Sequence, residues 1–332
     1  MTLLTVSGLT VTLDTPEGPA RVLEDVGFDL AAGGSLGIVG ESGCGKSMTA
    51  LALMGLLPAQ ARVQGTAIFE GRDLLALSER ELCRIRGRRL AMVFQEPMTA
   101  LNPVKTIGVQ VAEGLRWHLG LGRAEAEARA VKLLDRVGLP QPRFAPGLYP
   151  HQLSGGQRQR VVIAMALACD PALLIADEPT TALDVTSQAA ILDLIAEVTA
   201  DAGLALLLIT HDLAVVWQNT RTMLVMYAGR VVERGATAAV FDRMAHPYTR
   251  GLFAASPGAL DAATETVRAQ GSRLATIPGQ VPDPLHRPAG CVFAGRCPRV
   301  RDDCLPAPPG ERRIEGDHGV ACLHPHLQEA PA

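Results

Sequence analysis

Lysine is scarce in this 332-residue chain: only Lys46, Lys105 and Lys132 stand among its 31 cationic residues, so a lysine inside a glycine-rich loop draws attention. A surplus of positive charge is also missing. Lys and Arg number 31 against 34 Asp and Glu, a formal net charge of −3, which leaves no overall positive field to neutralise a nucleic-acid backbone. Long apolar runs are lacking too. The longest stretch without a charge, residues 47–61, contains Pro58 and falls short of the roughly 20 apolar residues that span a bilayer. The first residues, MTLLTVSGLTVTLDTPEG, have no basic start, apolar stretch or cleavage site of a secretory signal, so the expected setting is the cytoplasm, with docking on a membrane protein left open. At 48% apolar residues the chain can bury one large domain and a smaller one.

What is present alternates. Residues 1 to about 35 read as β structure: LTVSGLTVTL, a turn at Pro16-Glu17-Gly18-Pro19, and a strand through Val26-Gly27-Phe28-Asp29-Leu30. A buried strand, Ser35-Leu36-Gly37-Ile38-Val39, then runs straight into glycines. From about 98 to 168 the pattern is mostly helical, with segments such as GRAEAEARAVKLLDRVG. Two further apolar runs, 173–176 and 204–209, end in acidic or polar residues and flank a helical stretch near 191–199. The expected fold is α/β: a mainly parallel sheet with N-terminal antiparallel β, a helical subdomain, and ligand chemistry at the carboxyl ends of the strands. Composition shifts near Ser256. The last 77 residues hold 11 of the 23 prolines and four of the seven cysteines, so they read as a loop-rich appendage or disordered tail rather than a regular layer. The expected domains are 1–255 and a small Cys/Pro-rich extension, 256–332.

Gly40-Glu41-Ser42-Gly43-Cys44-Gly45-Lys46-Ser47 fits G-x-x-x-x-G-K-S, after a strand and before the helix-prone MTALALMGLL. Its glycines let successive N–H groups turn toward one point at the positive end of a helix, an anion nest. Gly40, Ser42, Gly43, Cys44, Gly45, Lys46 and Ser47 are thus the candidate ATP-binding residues, with Lys46 on the β- and γ-phosphates, the Ser47 hydroxyl on Mg²⁺, and Cys44 a small filler. Leu173-Leu174-Ile175-Ala176 ends in Asp177-Glu178, the acidic strand that such a loop needs: Asp177 for the magnesium shell, Glu178 for the attacking water.

Leu153-Ser154-Gly155-Gly156-Gln157, just before that strand, resembles the signature of ATP-binding-cassette ATPases. The family's other elements fall in order: Gln95 in VFQEP as the Q-loop, Ala182-Leu183-Asp184 as the D-loop, and His211 in LLLITHD as the switch histidine. The resemblance implies a P-loop cassette core in which Ser154 and Gly156 contact the γ-phosphate of ATP held by a second ATPase subunit. It also implies that Gln95 senses Mg²⁺ and the attacking water beside Ser47 and Asp177, and that Glu178, His211 and Gln95 serve hydrolysis. The adenine-stacking aromatic has no counterpart near 17–22, where Arg21 and Val22 are the candidates.

One P-loop and one signature, without a heptad insertion or spanning helix, do not fit repair ATPases, two-cassette translation factors or fused exporters. His246-Pro247-Tyr248-Thr249, Ile277-Pro278-Gly279 with Val281-Pro282, and Cys291-Val292-Phe293-Ala294-Gly295-Arg296-Cys297-Pro298 resemble the C-terminal extension of ATP-binding subunits of dipeptide, oligopeptide and nickel importers. MVFQEPMTALNPV is similar to the same branch. The resemblance implies a peripheral ATPase at the cytoplasmic face of the inner membrane. Its implied partners are two permease subunits, a second, related ATPase chain and, indirectly, a substrate-binding protein, with no nucleic acid. A nickel importer, or a stand-alone metal-containing nucleic-acid ATPase, is the alternative.

Cys291, Cys297, Cys304 and Cys322 are spaced by five, six and seventeen residues. Four thiolates suit tetrahedral zinc or an iron–sulfur cluster. The tight pairs usual for structural zinc are missing, which favours a 4Fe–4S cluster over zinc, as does the resemblance. His318 and His324 flank Cys322 as outer groups, while Cys83 and Cys169 read as small packed residues. Arg80, Arg84, Arg86, Arg88 and Arg89, interrupted by Glu79, Glu81, Leu82 and Ile85, read as a solvated helix face.

Overall fold

The computed structural model describes residues 1–95, 100–181, 183–256 and 276–327, which fall into two compact units. One unit comprises residues 1, 31–34 and 76–207, the other residues 2–30, 35–75 and 208–332. Residues 98–99 of the expected helical subdomain, Ala182 of the expected D-loop, and 257–275 and 328–332 of the expected extension lie outside the described residues.

In the first unit Leu90–Val93 runs parallel to Leu173–Asp177, with Leu90 opposite Leu173 and Val93 opposite Ala176. The start of Ala205–Ile209 joins them, the Ala205 N–H donating to the Ala172 carbonyl at 2.9 Å. Every residue of these strands is buried, which is why they read as unbroken apolar runs. Helices Ile107–Leu119, Arg123–Arg136 and Gly155–Leu167 pack on one another. Ile107, Val111 and Leu115 form the buried stripe of the first, and Ala126, Ala130, Leu133 and Leu134 that of the second, at the spacing a helix face requires.

In the second unit Gly18–Ala31, Thr2–Thr15, Ala61–Phe69 and Arg72–Asp73 form a four-stranded sheet in that order, Thr2–Thr15 antiparallel to Ala61–Phe69. A separate set of strands starts from Ser35–Val39, which pairs in parallel with Thr222–Tyr227, Leu36 opposite Thr222. Thr222–Tyr227 then turns back into antiparallel Arg230–Ala236.

The tail departs from its expected lack of regular layers. His318–Val320 pairs antiparallel with Arg230–Ala236, Glu233 opposite Val320, and Arg312–Glu315 adds outside it. The hairpin is too short to stand out in composition, yet it buries His318 and Val320, and Val320 packs with Ala245, Cys322 and Ile314. Tyr227, Tyr248 and Phe293 lie 4.6–5.4 Å apart between ring centres, joining a strand, the helix Pro247–Ala255 and the tail. Such aromatic clusters add packing energy beyond area burial.

Candidate functional site

Residues 40–47 connect Ser35–Val39 to the helix Lys46–Met54. Gly40 has φ 153°, and a Cβ there would stand 2.2 Å from the Met226 carbonyl oxygen. Gly45 has φ 95°, and a Cβ would stand 2.5 Å from Leu23 Cδ2. Both positions require glycine. Ser42 and Gly43 are exposed at the crest of the loop, and Ser47 is half-buried in the first helical turn. Lys46 is buried, its Nζ donating to the carbonyls of Gly40 at 2.8 Å and Glu41 at 3.1 Å. Cys44 is fully buried, and burial pushes its thiol up, so its side chain packs as a neutral group and leaves the phosphate chemistry to its backbone.

The acidic strand belongs to the other unit. Asp177 is buried at its end. Glu178 follows with φ 44°, a left-handed conformation costing a non-glycine residue about 1–3 kcal/mol and concentrated at functional turns. Its Oε2 accepts from Thr181 Oγ1 at 3.0 Å and from Gln95 Nε2 at 3.3 Å, so two expected site residues 83 positions apart meet. Ser154 heads the helix Gly155–Leu167 through a capping box: its Oγ accepts from the Gln157 N–H, and Gln157 Oε1 accepts from the Ser154 N–H at 2.9 Å. The Gly156 amide therefore lies in a fixed first turn, where helices favour anions. Asp184 caps Val185–Ala202 by accepting from the Ser187 N–H at 2.9 Å, which holds its carboxyl below the usual range.

His211 lies in the same unit as residues 40–47, exposed after Ala205–Ile209. Its neighbours fix the backbone: Thr210 Oγ1 accepts from the Asp212 N–H at 3.1 Å, and Asp212 Oδ1 accepts from the Ala214 N–H at 2.8 Å. Arg21, a candidate for the adenine, pairs with Glu24 at 2.7 Å. The arginine-rich segment is a solvated helix face only in part: Arg80 and Arg84 are exposed on Glu79–Ile85, where Leu82 and Ile85 are buried, while Arg86, Arg88 and Arg89 lie beyond the helix and Arg86 pairs with Glu79.

Cys291, Cys297, Cys304 and Cys322 line one cavity of about 20 Å³, together with His246, Phe293 and His324 among others. All four are free thiols. Burial pushes the thiols of Cys291, Cys297 and Cys322 up, Cys322 to about 11, and neighbouring cysteines add to each shift. Four soft donors lining one cavity, with Cys291, Cys297 and Cys322 held neutral by burial, fit a thiophilic metal whose charge would deprotonate them, although among the described residues the tight trio of donor atoms is Asp303, Cys304 and His324. His324 lines this cavity and its Nε2 meets both Asp303 oxygens at 2.8 and 2.9 Å. The expected place of His318 beside the cysteines is corrected: strand pairing buries it against Glu233 instead, Nε2 2.8 Å from Oε1.

Three contacts at the loop and the neighbouring strand have no counterpart in the sequence reading. Arg296, inside the Cys-rich motif, reaches Glu41 of the glycine-rich loop at 3.0 Å and Tyr227 Oη at 3.2 Å, with its own side chain 7% exposed. Tyr248 Oη accepts from the Glu41 N–H at 2.8 Å. Arg287 contacts Glu24 Oε2 at 3.1 Å and the Val22 carbonyl at 3.2 Å. The one available signal was the place of Arg296 and Tyr248 inside motifs already singled out.

The family model described as ABC transporter matches residues 23–181, and the one described as Oligopeptide/dipeptide transporter, C-terminal region, matches residues 232–304. The chain is 49% identical to the oligopeptide transport ATP-binding protein OppD of Escherichia coli (strain K12) over 323 residues, 97% of this chain and 93% of that one. It is 50% identical to the protein of the same name from Salmonella typhimurium, over 97% of this chain and 94% of that one. Among solved structures, the dimeric post-hydrolysis state of the ATP-binding cassette MJ0796 bound to ADP and Pi matches with a TM-score of 0.63 and 29% identity, over 70% of this chain and 98% of that one.

Proposed function

We propose, since this chain belongs to the oligopeptide-importer branch of ABC transporter ATP-binding proteins, that it hydrolyses ATP to drive uptake of peptides through permease subunits at the inner membrane. The observation that carries the reading is the likeness to oligopeptide transport ATP-binding proteins along 97% of the chain, tail included. The fold is that of the ABC ATPase cassettes. Among the described residues no helix is long and apolar enough to cross a membrane, so attachment runs through the permeases.

In this reading residues 1–255 bind nucleotide and 256–332 form the extension. The backbone of residues 40–45 and Lys46 bind the phosphates, and Ser47 and Asp177 hold Mg²⁺, with Gln95 sensing it. Bound there, Mg²⁺ would supply neutralisation of the negative charge on the phosphates. Glu178, held by Thr181 and Gln95, takes the proton of the attacking water, and His211 contacts the γ-phosphate side. Ser154 and Gly156 serve the nucleotide of a second, related ATPase chain, so turnover needs both subunits. Cys291, Cys297, Cys304 and Cys322 hold a 4Fe–4S cluster. Bound there, it supplies a four-point crosslink to a Pro-rich segment with few large apolar residues of its own.

The chain expressed by itself is expected in the soluble fraction, and with its permeases in the membrane fraction, with ATP turnover rising on assembly. Fractionation followed by phosphate release checks this. A chain that ignores the permeases and sediments with duplex DNA in a salt-sensitive way would replace the reading with the nucleic-acid alternative.

A further inference from the structure

We infer that the Nε2–H of His246 donates a hydrogen bond to a sulfur of the centre held by Cys291, Cys297, Cys304 and Cys322, which makes His246 a positioning residue for that centre. The inference rests on the iron–sulfur reading above. His246 sits at the start of Pro247–Ala255 and is 1% exposed. Its backbone N–H donates to Glu233 Oε2 at 2.8 Å, and its Nδ1 accepts from the Tyr248 N–H at 3.0 Å. A ring whose Nδ1 accepts carries its proton on Nε2 when neutral. Burial holds the ring's pKa down to about 4, so it is neutral near pH 7.

That Nε2–H is buried and has no partner within the protein. An orphaned buried donor is costly unless the site supplies an acceptor. His246 lines the cavity of the four cysteines, whose other walls are largely apolar: Phe293, Ala294, Val300 and Leu323. Of the remaining polar side chains of that cavity, Arg299 is a donor and His324 is engaged by Asp303, so sulfur is the acceptor it offers; the ring also borders a second cavity, where Glu24 and Glu311 are held by arginines. Hydrogen bonds to sulfur stabilise the more negative, reduced state of a cluster and raise its potential.

The test compares the anaerobically purified full chain with His246→Asn and His246→Gln. Asn keeps an oxygen near the place of Nδ1, hence the helix cap, but carries nothing at Nε2; Gln can place an amide N–H there. All three should hold about four irons per chain. The Asn protein should be harder to reduce by about tenfold in the equilibrium constant, about 59 mV for a one-electron couple. The Gln protein should stay near the parent. Iron lost from the Asn protein alone also supports the donor. Full iron with parental potential in the Asn protein overturns the hydrogen bond and leaves the cluster standing, as does iron lost from both variants, which would mark a packing role. Parent protein without iron overturns the cluster reading and the inference together.

Discussion

Glu178→Gln is expected to bind ATP as the parent does while multiple-turnover hydrolysis falls about 10²- to 10⁴-fold, the usual cost of removing a base or water-positioning group. Gln preserves the side-chain shape and can still accept from Thr181 and Gln95 through its amide oxygen, so the strained turn at φ 44° has no reason to rearrange. What disappears is the carboxylate's capacity to take a proton. Fluorescent-nucleotide binding and phosphate release, measured on the same assembled complex, separate the two effects. Near-parental turnover would mean that another residue handles the water.

The second large effect is expected from Cys297→Ser. Anaerobic parent protein should be brown with about four irons per chain; the variant should be colourless, and its tail should be cut early in limited proteolysis. Among the described residues the extension packs Val320 on Ala245 beside Cys322, and Phe293 on Tyr227 and Tyr248, so losing the four-point crosslink should loosen the segment around the cysteines. Nucleotide binding by residues 40–47 should largely survive. The tie at risk there is the Arg296–Glu41 pair, a single charge-assisted bond worth about 1.5 kcal/mol to the loop's anchoring. A colourless parent with one stoichiometric zinc would refute the cluster and preserve the structural role; a metal-free parent with an ordered tail would remove both.

The nucleotide-binding loop was legible because its constraints are local. Gly40 and Gly45 stand where backbone or side-chain atoms leave no room for a Cβ, and such positions leave a written pattern. The buried strands were legible for a similar reason, since burial on both faces forces runs such as Leu173-Leu174-Ile175-Ala176. The contact of Gln95 with Glu178 could be anticipated only through the family resemblance, because nothing in either segment points to the other. Tyr248 and Arg296 meet Glu41 across 207 and 255 positions, and neither carries a local signature of that contact. His318 stands away from the cysteine cavity because Cys322 lies beyond the end of His318–Val320, whose pairing with Arg230–Ala236 sets His318 against Glu233, and nothing local in the sequence announces that pairing. In the sequence His246 is only a letter of its motif; that its Nδ1 is satisfied and its Nε2 is not is visible only in the fold.

Peptide uptake tests the central claim most directly. Proteoliposomes carrying this chain with its permeases and partner ATPase should accumulate a labelled short peptide when ATP is supplied on the side of the ATPases, and should stop doing so with Glu178→Gln although that variant still binds ATP. Peptide accumulation that continues unchanged with the variant, or ATP-driven accumulation of nickel and no peptide, would contradict the account.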